Sequence, residues 1–177
     1  MNDGMQARLR RLQATEWEKL RDIRLEMLED TPTGYLESLD SARAQTDWQR
    51  QDRAAGMVAP GSVALVADQG VAGSRLRALM RVALNPPQNP ARPRLARLLS
   101  VYVAPELRGS GLADEMLRLA VAVARDELGA GLLQLGVHGG NGRARQFYLR
   151  NGFQDTGLRS PYPLDPTSSE IILERQL

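Results

Sequence analysis

The alternation of apolar and polar positions changes period several times along the chain, and each change marks a predicted element. Arg8 to Leu12 reads as a short first strand, and Thr15 with Glu18 forms a T-x-x-E capping pattern for the helix that follows. Trp17, Leu20, Ile23, Met27 and Leu28 recur at helical spacing, so one face of that helix packs on a sheet. Thr31 to Thr46 mixes polarity around Pro32 and Gly34, which predicts a loop or a broken helix. Thr46 and Gln49 repeat the capping pattern and open a second helix that ends near Gly56. Ser62 to Ala67 has strand character, Asp68 to Gly70 turn character, and Val71 to Leu84 reads as a strand with a glycine interruption.

In the second half the period again switches between two and nearly four. Asn85 to Pro93 holds four of the ten prolines and therefore reads as an irregular hairpin loop. Leu95 to Val103 is the next strand, closed by Pro105, which has no N–H for a ladder. Leu112 to Leu128 is a helix running to a stop at Gly129, and Leu132 to Val137 is an apolar strand. Asn141 caps a helix carrying Ala144, Phe147 and Tyr148, with Gly152 as its C-terminal stop. Gln154 to Gly157 begins a strand, Pro161 to Pro166 reads as an irregular loop, and Glu170 to Leu177 is the last strand. No repeat or linker divides the pattern, so residues 1–177 are expected to form a single domain.

Composition narrows the chemistry. An apolar share of 42% suffices for a sizeable core. The formal charge is only +2 and Lys19 is the single lysine, so the arginines form no concentrated basic face that would point to nucleic acid. Without cysteine there is no disulfide, thiol nucleophile or thiolate metal site, and one histidine leaves no metal cluster. No apolar run suggests a signal or a membrane span, so a cytoplasmic soluble protein is expected.

Two spaced signals carry more. The first is V-Y-V-A-P-E-L-R-G-S-G-L-A, a strand feeding a glycine-rich turn that opens a helix. Gly109 and Gly111 allow positive φ and close ligand approach, and unpaired amides backed by the helix dipole suit a phosphate or pyrophosphate. The spacing is neither the G-x-G-x-x-G of a dinucleotide site nor a Walker loop; Arg108 to Ala113 reads R-x-x-G-x-A instead. The second signal is N-G-R-A-R-Q-F-Y-L-R-N-G-F, the capped helix bearing Tyr148.

In this order, with the Leu132 to Val137 strand between them, the two signals resemble the GCN5-related N-acetyltransferase (GNAT) superfamily. The segment from Trp17 through Arg21, Arg24, Leu28, Pro32 and Tyr35 to Trp48, and the stretch from Gly157 to Leu177, are similar to a group of bacterial members with unassigned substrates. The resemblance implies an α/β (α+β) fold, a mixed, mostly antiparallel twisted sheet splayed between its fourth and fifth strands and flanked by helices. It implies acetyl-CoA (coenzyme A) as cofactor. The turn of Arg108, Gly109, Ser110, Gly111, Leu112 and Ala113 would hold its pyrophosphate through backbone amides. Val101 and Val103 would offer main-chain groups to the pantetheine, and Asn141 would bond that arm or its water. Tyr148 would stand at the thiol as general acid, since a thiol of pKa about 8.5 leaves better when protonated.

Where many members carry a glutamate as base, this chain has Arg97, which cannot serve. The role would pass to another residue or to water, or be unnecessary; the expectation is that no single side chain dominates and a water chain between the splayed strands carries the proton to solvent, with Glu37, Glu170 and His138 as the candidates for a relocated base. The acidic residues Glu29, Asp30, Glu37 and Asp40 border the segment where the resemblance places the acceptor, and either attract a cationic amine or form a solvated loop. The implied partner is a small-molecule or peptide amine, with room for a homodimer and no role for nucleic acid or membrane. The alternative from another class is a non-catalytic acyl-CoA-binding protein of the same fold.

Overall fold

A computed structural model describes residues 7–86 and 92–177. Its framework is a seven-stranded sheet in the order β1-β2-β3-β4-β5-β7-β6. The strands are β1 (Arg8–Arg11), β2 (Ser62–Asp68), β3 (Ala78–Leu84), β4 (Leu95–Val103), β5 (Leu132–His138), β6 (Gln154–Tyr162) and β7 (Asp165–Gln176). Neighbours are antiparallel except β4 and β5, which run parallel and pair only over Leu95 with Leu132, Ala96 with Leu133 and Arg97 with Gln134. Beyond that point the two halves of the sheet diverge, as the resemblance implies, and the divergence creates the cleft described below.

Helices cover the two faces separately. On one face α1 (Trp17–Asp30), α2 (Leu39–Ala44) and α3 (Asp47–Met57) bury Leu20, Ile23, Met27, Leu28 and Met57 against Ala64, Val66, Leu79 and Tyr102. On the other, α4 (Leu112–Ala122) and α5 (Gly142–Arg150) bury Leu112, Met116, Leu117 and Tyr148 against Met80, Leu98, Leu133 and Leu135. β2, β3 and β4 contribute to both cores, which is why β2 reads as a nearly continuous apolar run.

Several boundaries differ from the sequence expectation for identifiable reasons. The chain enters α1 through a short 3₁₀ turn at Ala14–Glu16, and Glu16 rather than Glu18 turns back to accept the Gln13 N–H at 3.0 Å. Glu16 is selected because Arg10 binds it through two 2.7 Å contacts while also holding Asp68 of β2, a long-range link that a local pattern does not display. Residues 71–77 form no strand: Gly70 and Gly73 take positive φ and close a turn, so β3 starts only at Ala78, opposite Ala67. After Ala122 the helix widens into a π-type turn over Val123–Glu127, where Leu128 N–H reaches the Val123 carbonyl at 3.0 Å before Gly129 ends it at φ 62°. The expected loop at Pro161 to Pro166 shrinks to a tight hairpin, because β6 is an edge strand and tolerates Pro161 without a ladder N–H. The proline-rich hairpin prediction over Asn85 to Pro93 falls largely on residues outside those described.

Candidate active site

Where the sheet parts, β4 changes its own backbone. Leu79 faces Tyr102 and Arg81 faces Leu99, so β4 carries one residue more than β3 across this interval. Ser100 absorbs the surplus at φ 52°, the one non-glycine positive φ among the described residues. This bulge shifts the alternation, so Val101 and Val103 face the same core as Ala96 and Leu98. Ala104 N–H donates to the Arg77 carbonyl at 2.8 Å, which makes Ala78 and Val103 a non-hydrogen-bonded pair. The amide and carbonyl of Val103 therefore point away from β3, into the opening between β4 and β5.

Two side chains occupy the carbonyls presented there. The Tyr35 hydroxyl donates to the Val101 carbonyl at 2.9 Å, and Arg108 Nε donates to that of Val103 at 2.9 Å. The Tyr35 carbonyl in turn accepts from the Tyr162 hydroxyl at 2.6 Å, so this residue ties β4 to β6 across the split. Burial pushes the Tyr35 phenol well above its ordinary range, so it stays a neutral donor. The Val103 N–H is left facing the opened edge. Neither Tyr35 nor Tyr162 is recognisable as a clasp in the sequence, because their partners are backbone groups far along the chain.

The glycine turn lies at the end of β4. Gly109 and Gly111 have φ of 81° and 88°, and a Cβ on either would meet no protein atom within 4 Å. Both positions thus need glycine for the backbone conformation, while the space beside them stays open. The Arg108 N–H goes to the Pro105 carbonyl at 3.2 Å and the Ser110 N–H to Leu107 at 3.4 Å. The turn's outward amides are therefore those of Gly109, Gly111 and Ala113, and Leu112 N–H reaches only the Ser110 Oγ, at 3.4 Å. Leu112 packs its side chain into the core. The Arg108 guanidinium is turned toward Asp30 and over the Tyr102 ring, 5.7 Å from its centroid, and fastens the turn to α1. Arg143 and Arg150 line the same cleft from α5. They were not singled out in the sequence, although N-G-R-A-R places a cation in the first turn of that helix.

Tyr148 lies on α5 with 7% exposure, its ring against Phe147 and Phe153 at centroid separations of 5.2 and 5.6 Å. Its hydroxyl makes no hydrogen bond to a described residue, and the side chain lines the cleft. Burial alone holds the phenol well above its ordinary pKa, so the proton stays in place. Asn141 caps α5 by accepting the Ala144 N–H at 3.1 Å, which leaves its side-chain amide donor uncommitted to that cap.

The cleft has a volume of about 1200 Å³ and continues past the bulge onto the face covered by α1 and α3. Of the three candidate bases, Glu37 is consumed: Arg24 pairs with it, Arg53 reaches it at 2.9 Å and Gln45 at 2.8 Å. The His138 Nδ1 accepts the Gly140 N–H at 3.1 Å, and its ring meets Tyr162 edge to face. Glu170, opposite His138 on β7, leans over β5 so closely that a Cβ on Gly136 would lie 2.7 Å from its Oε1. Burial raises the Glu170 pKa, while Arg97 and His138 pull it back. Of the acidic residues Glu29, Asp30, Glu37 and Asp40, Asp30 is held by Arg108, Glu37 by Arg24 and Arg53, and Glu29 lies 3.7 Å from Arg43.

A parallel pair that opens after three residues, a bulge at the fork and a glycine turn at a helix N-terminus all border this one cleft. The acetyltransferase (GNAT) family model matches residues 17–153, and the chain belongs to that family. Solved structures agree on the fold. An acetyltransferase of the GNAT family from Streptococcus pneumoniae is 14% identical over 97% of this chain and 99% of its own, with a TM-score of 0.76. YncA from Salmonella typhimurium, solved with acetyl-CoA, is 18% identical over 97% of this chain and 94% of its own, with a TM-score of 0.75. PaiA N-acetyltransferase from Thermoplasma acidophilum, solved with coenzyme A, is 17% identical over 97% of this chain and 99% of its own, with a TM-score of 0.64.

Proposed function

We propose that this acetyltransferase uses acetyl-CoA and moves the acetyl group to a primary amine by direct attack, with Tyr148 as general acid and Glu170 as base. The observation that carries the reading is the pairing of opposites in one cleft. A phenol kept protonated by burial stands on the α5 side, and a carboxylate of raised pKa stands on the β7 side. Groups whose environments separate their roles in this way are what acid–base catalysis requires.

The residues present suit the cofactor. The amides of Gly109, Gly111 and Ala113, at the positive end of α4, match a pyrophosphate, and the open space beside both glycines admits it. Arg143 and Arg150 line the cleft from α5, Arg150 lying 3.6 Å from Asp114 in the first turn of α4. The Val103 N–H and the Asn141 side-chain amide suit the polar groups of the pantetheine. When bound, acetyl-CoA supplies an activated thioester whose leaving group is a thiolate. The chain's own part is then to hold and move protons. Glu170 accepts one from the incoming ammonium, Tyr148 delivers one from its hydroxyl to the departing sulfur, and the second proton that the nitrogen sheds as the amide forms restores the phenol. Arg97 cannot share the basic role, and Glu37 is fixed by two arginines, which leaves Glu170 as the carboxylate in reach of the fork.

The test is calorimetric titration with acetyl-CoA together with thiol release over a panel of amines. Binding with acceptor-dependent thiol release supports the reading. Binding without release for any amine supports the non-catalytic acyl-CoA-binding alternative, and absence of binding defeats both.

A further inference from the structure

The acceptor half of the cleft is lined by Arg24, Arg53, Arg81 and Arg97 against only two carboxylates, Glu37 and Glu170. Arg24 and Arg53 spend their charge on Glu37. Arg81 is anchored by neutral groups, the Ser62 hydroxyl at 2.9 Å and the Gly56 carbonyl at 3.2 Å. Arg97 is exposed on β4 just before the bulge. Among the described residues, neither of these two guanidinia has a carboxylate at ion-pair distance. Arg81 faces Leu99 and Arg97 faces Ala83, so the two arginines are diagonal cross-strand neighbours on one face of the sheet. Like charges so placed repel, and an anion lodged between them relieves the repulsion.

We infer that the acceptor is a small amine carrying its own anionic group, a carboxylate, phosphinate or phosphonate, which Arg81 and Arg97 clamp while the amine faces Glu170. The inference rests on the N-acetyltransferase reading above and names the substrate class of that site. Guanidinium forks match such two-oxygen groups in geometry as well as charge. Burial and the neighbouring Arg53 lower the Arg81 pKa, which marks that guanidinium as short of a counter-charge. A polycationic amine would enter this half against the two guanidinia that have no carboxylate partner.

Matched acceptors test it: phenylalanine against phenethylamine, methionine against 3-(methylthio)propylamine, an aminoalkylphosphonate, spermidine and a short peptide with a free N-terminus. Thiol release should give kcat/KM roughly ten- to a hundredfold higher for the anionic member of a pair, the range of one charge-assisted contact. Compared on the pH plateau above the acidic limb, where Glu170 is ionised with or without Arg97, Arg97→Gln should raise KM for the anionic acceptor roughly tenfold or more, while the decarboxylated amine and the acetyl-CoA dissociation constant change by less than about threefold. Arg81→Gln should act in the same direction. Calorimetric titration of the amino acids into protein saturated with coenzyme A gives a readout independent of turnover and should weaken in both variants. Equal use of both members of a pair, preference for spermidine or the peptide, transfer to no anionic amine, or an equal effect of Arg97→Gln on both amine classes overturns the inference. Transfer to a cationic amine would do so while leaving the N-acetyltransferase reading intact, whereas failure to bind acetyl-CoA would remove that reading itself.

Discussion

Replacing Tyr148 by phenylalanine deletes one oxygen from a ring wedged between Phe147 and Phe153, and the structure sets different scales for its two consequences. For folding, the hydroxyl has no hydrogen-bond partner among the described residues, so its loss strands no buried donor or acceptor. The expected change is within about 1 kcal/mol, or less than about 4 °C in Tm for a chain of this size. For chemistry, a positioned general acid is worth about 10²–10⁴ in rate, roughly 2.7–5.4 kcal/mol at about 1.36 kcal/mol per decade. The kinetic effect should therefore exceed the structural one clearly. Thiol release at saturating acceptor should show kcat reduced roughly 10²-fold or more, and calorimetry should show acetyl-CoA affinity nearly unchanged. Because burial lifts the phenol above its ordinary pKa of 10.0, the wild-type rate should show no Tyr148-dependent loss up to at least that pH. A Tyr148→Phe protein with kcat within about threefold of wild type and an unchanged Tm would refute the acid role and reduce the tyrosine to packing.

Gly111→Asp should weaken acetyl-CoA binding more than tenfold, and Gly111→Asn, which tolerates left-handed backbone without adding charge, should weaken it less; calorimetry separates strain from repulsion. Glu170→Gln should lower kcat/KM by roughly 10²-fold or more and abolish the acidic limb of its pH profile, a limb that lies above pH 4.5 in the wild type because burial raises this carboxyl. A raised folded pKa opposes folding once the group ionises, so Glu170→Gln should be more thermostable than wild type near pH 8, with the gain fading as the pH falls below the unfolded value. Glu37→Gln should cost stability, on the order of 2–4 kcal/mol by urea denaturation, because it leaves Arg24 buried at 9% exposure without its counter-charge.

How much of this was legible in the sequence depends on the range of the interactions involved. Both glycine-turn and Asn141 signals are local, since positive φ and an N-cap are decided within a few residues, and both appear where the sequence puts them. The fork between β4 and β5 followed only from the family resemblance. Glu16 over Glu18, the early halt of β3 and the Tyr35 clasp depend on partners tens of residues away, and no period or cap records those. The candidate base follows the same rule. Glu37 and Glu170 look alike as sequence positions, and only the fold buries one between two arginines and leans the other over Gly136. Arg143 and Arg150 were readable as charges on a helix, yet their relevance comes from the side of the cleft they face.

The proposed base and the proposed acceptor clamp meet at Arg97, and the meeting has a measurable consequence. A glutamate there would set a second carboxylate near Glu170, and like charges raise each other's pKa, so less of the base would be ionised at neutral pH. The arginine does the reverse. Of the charged and titratable groups around Glu170, Arg97 and His138 lower its pKa against burial, and Tyr162 lies beside them on β6. In the proposed mechanism Arg97 thus opposes the effect of burial on the Glu170 carboxyl and favours its ionised form. Removing it should shift the acidic limb of kcat/KM upward in Arg97→Gln, and it should do so for the uncharged-tail amine as well, where no anion clamp is at stake. The double variant Arg97→Gln, Glu170→Gln should then show no limb at all. A limb that stays in place or moves downward in the single variant would mean that Arg97 does not act on Glu170, and the cation would have to be explained by the acceptor alone.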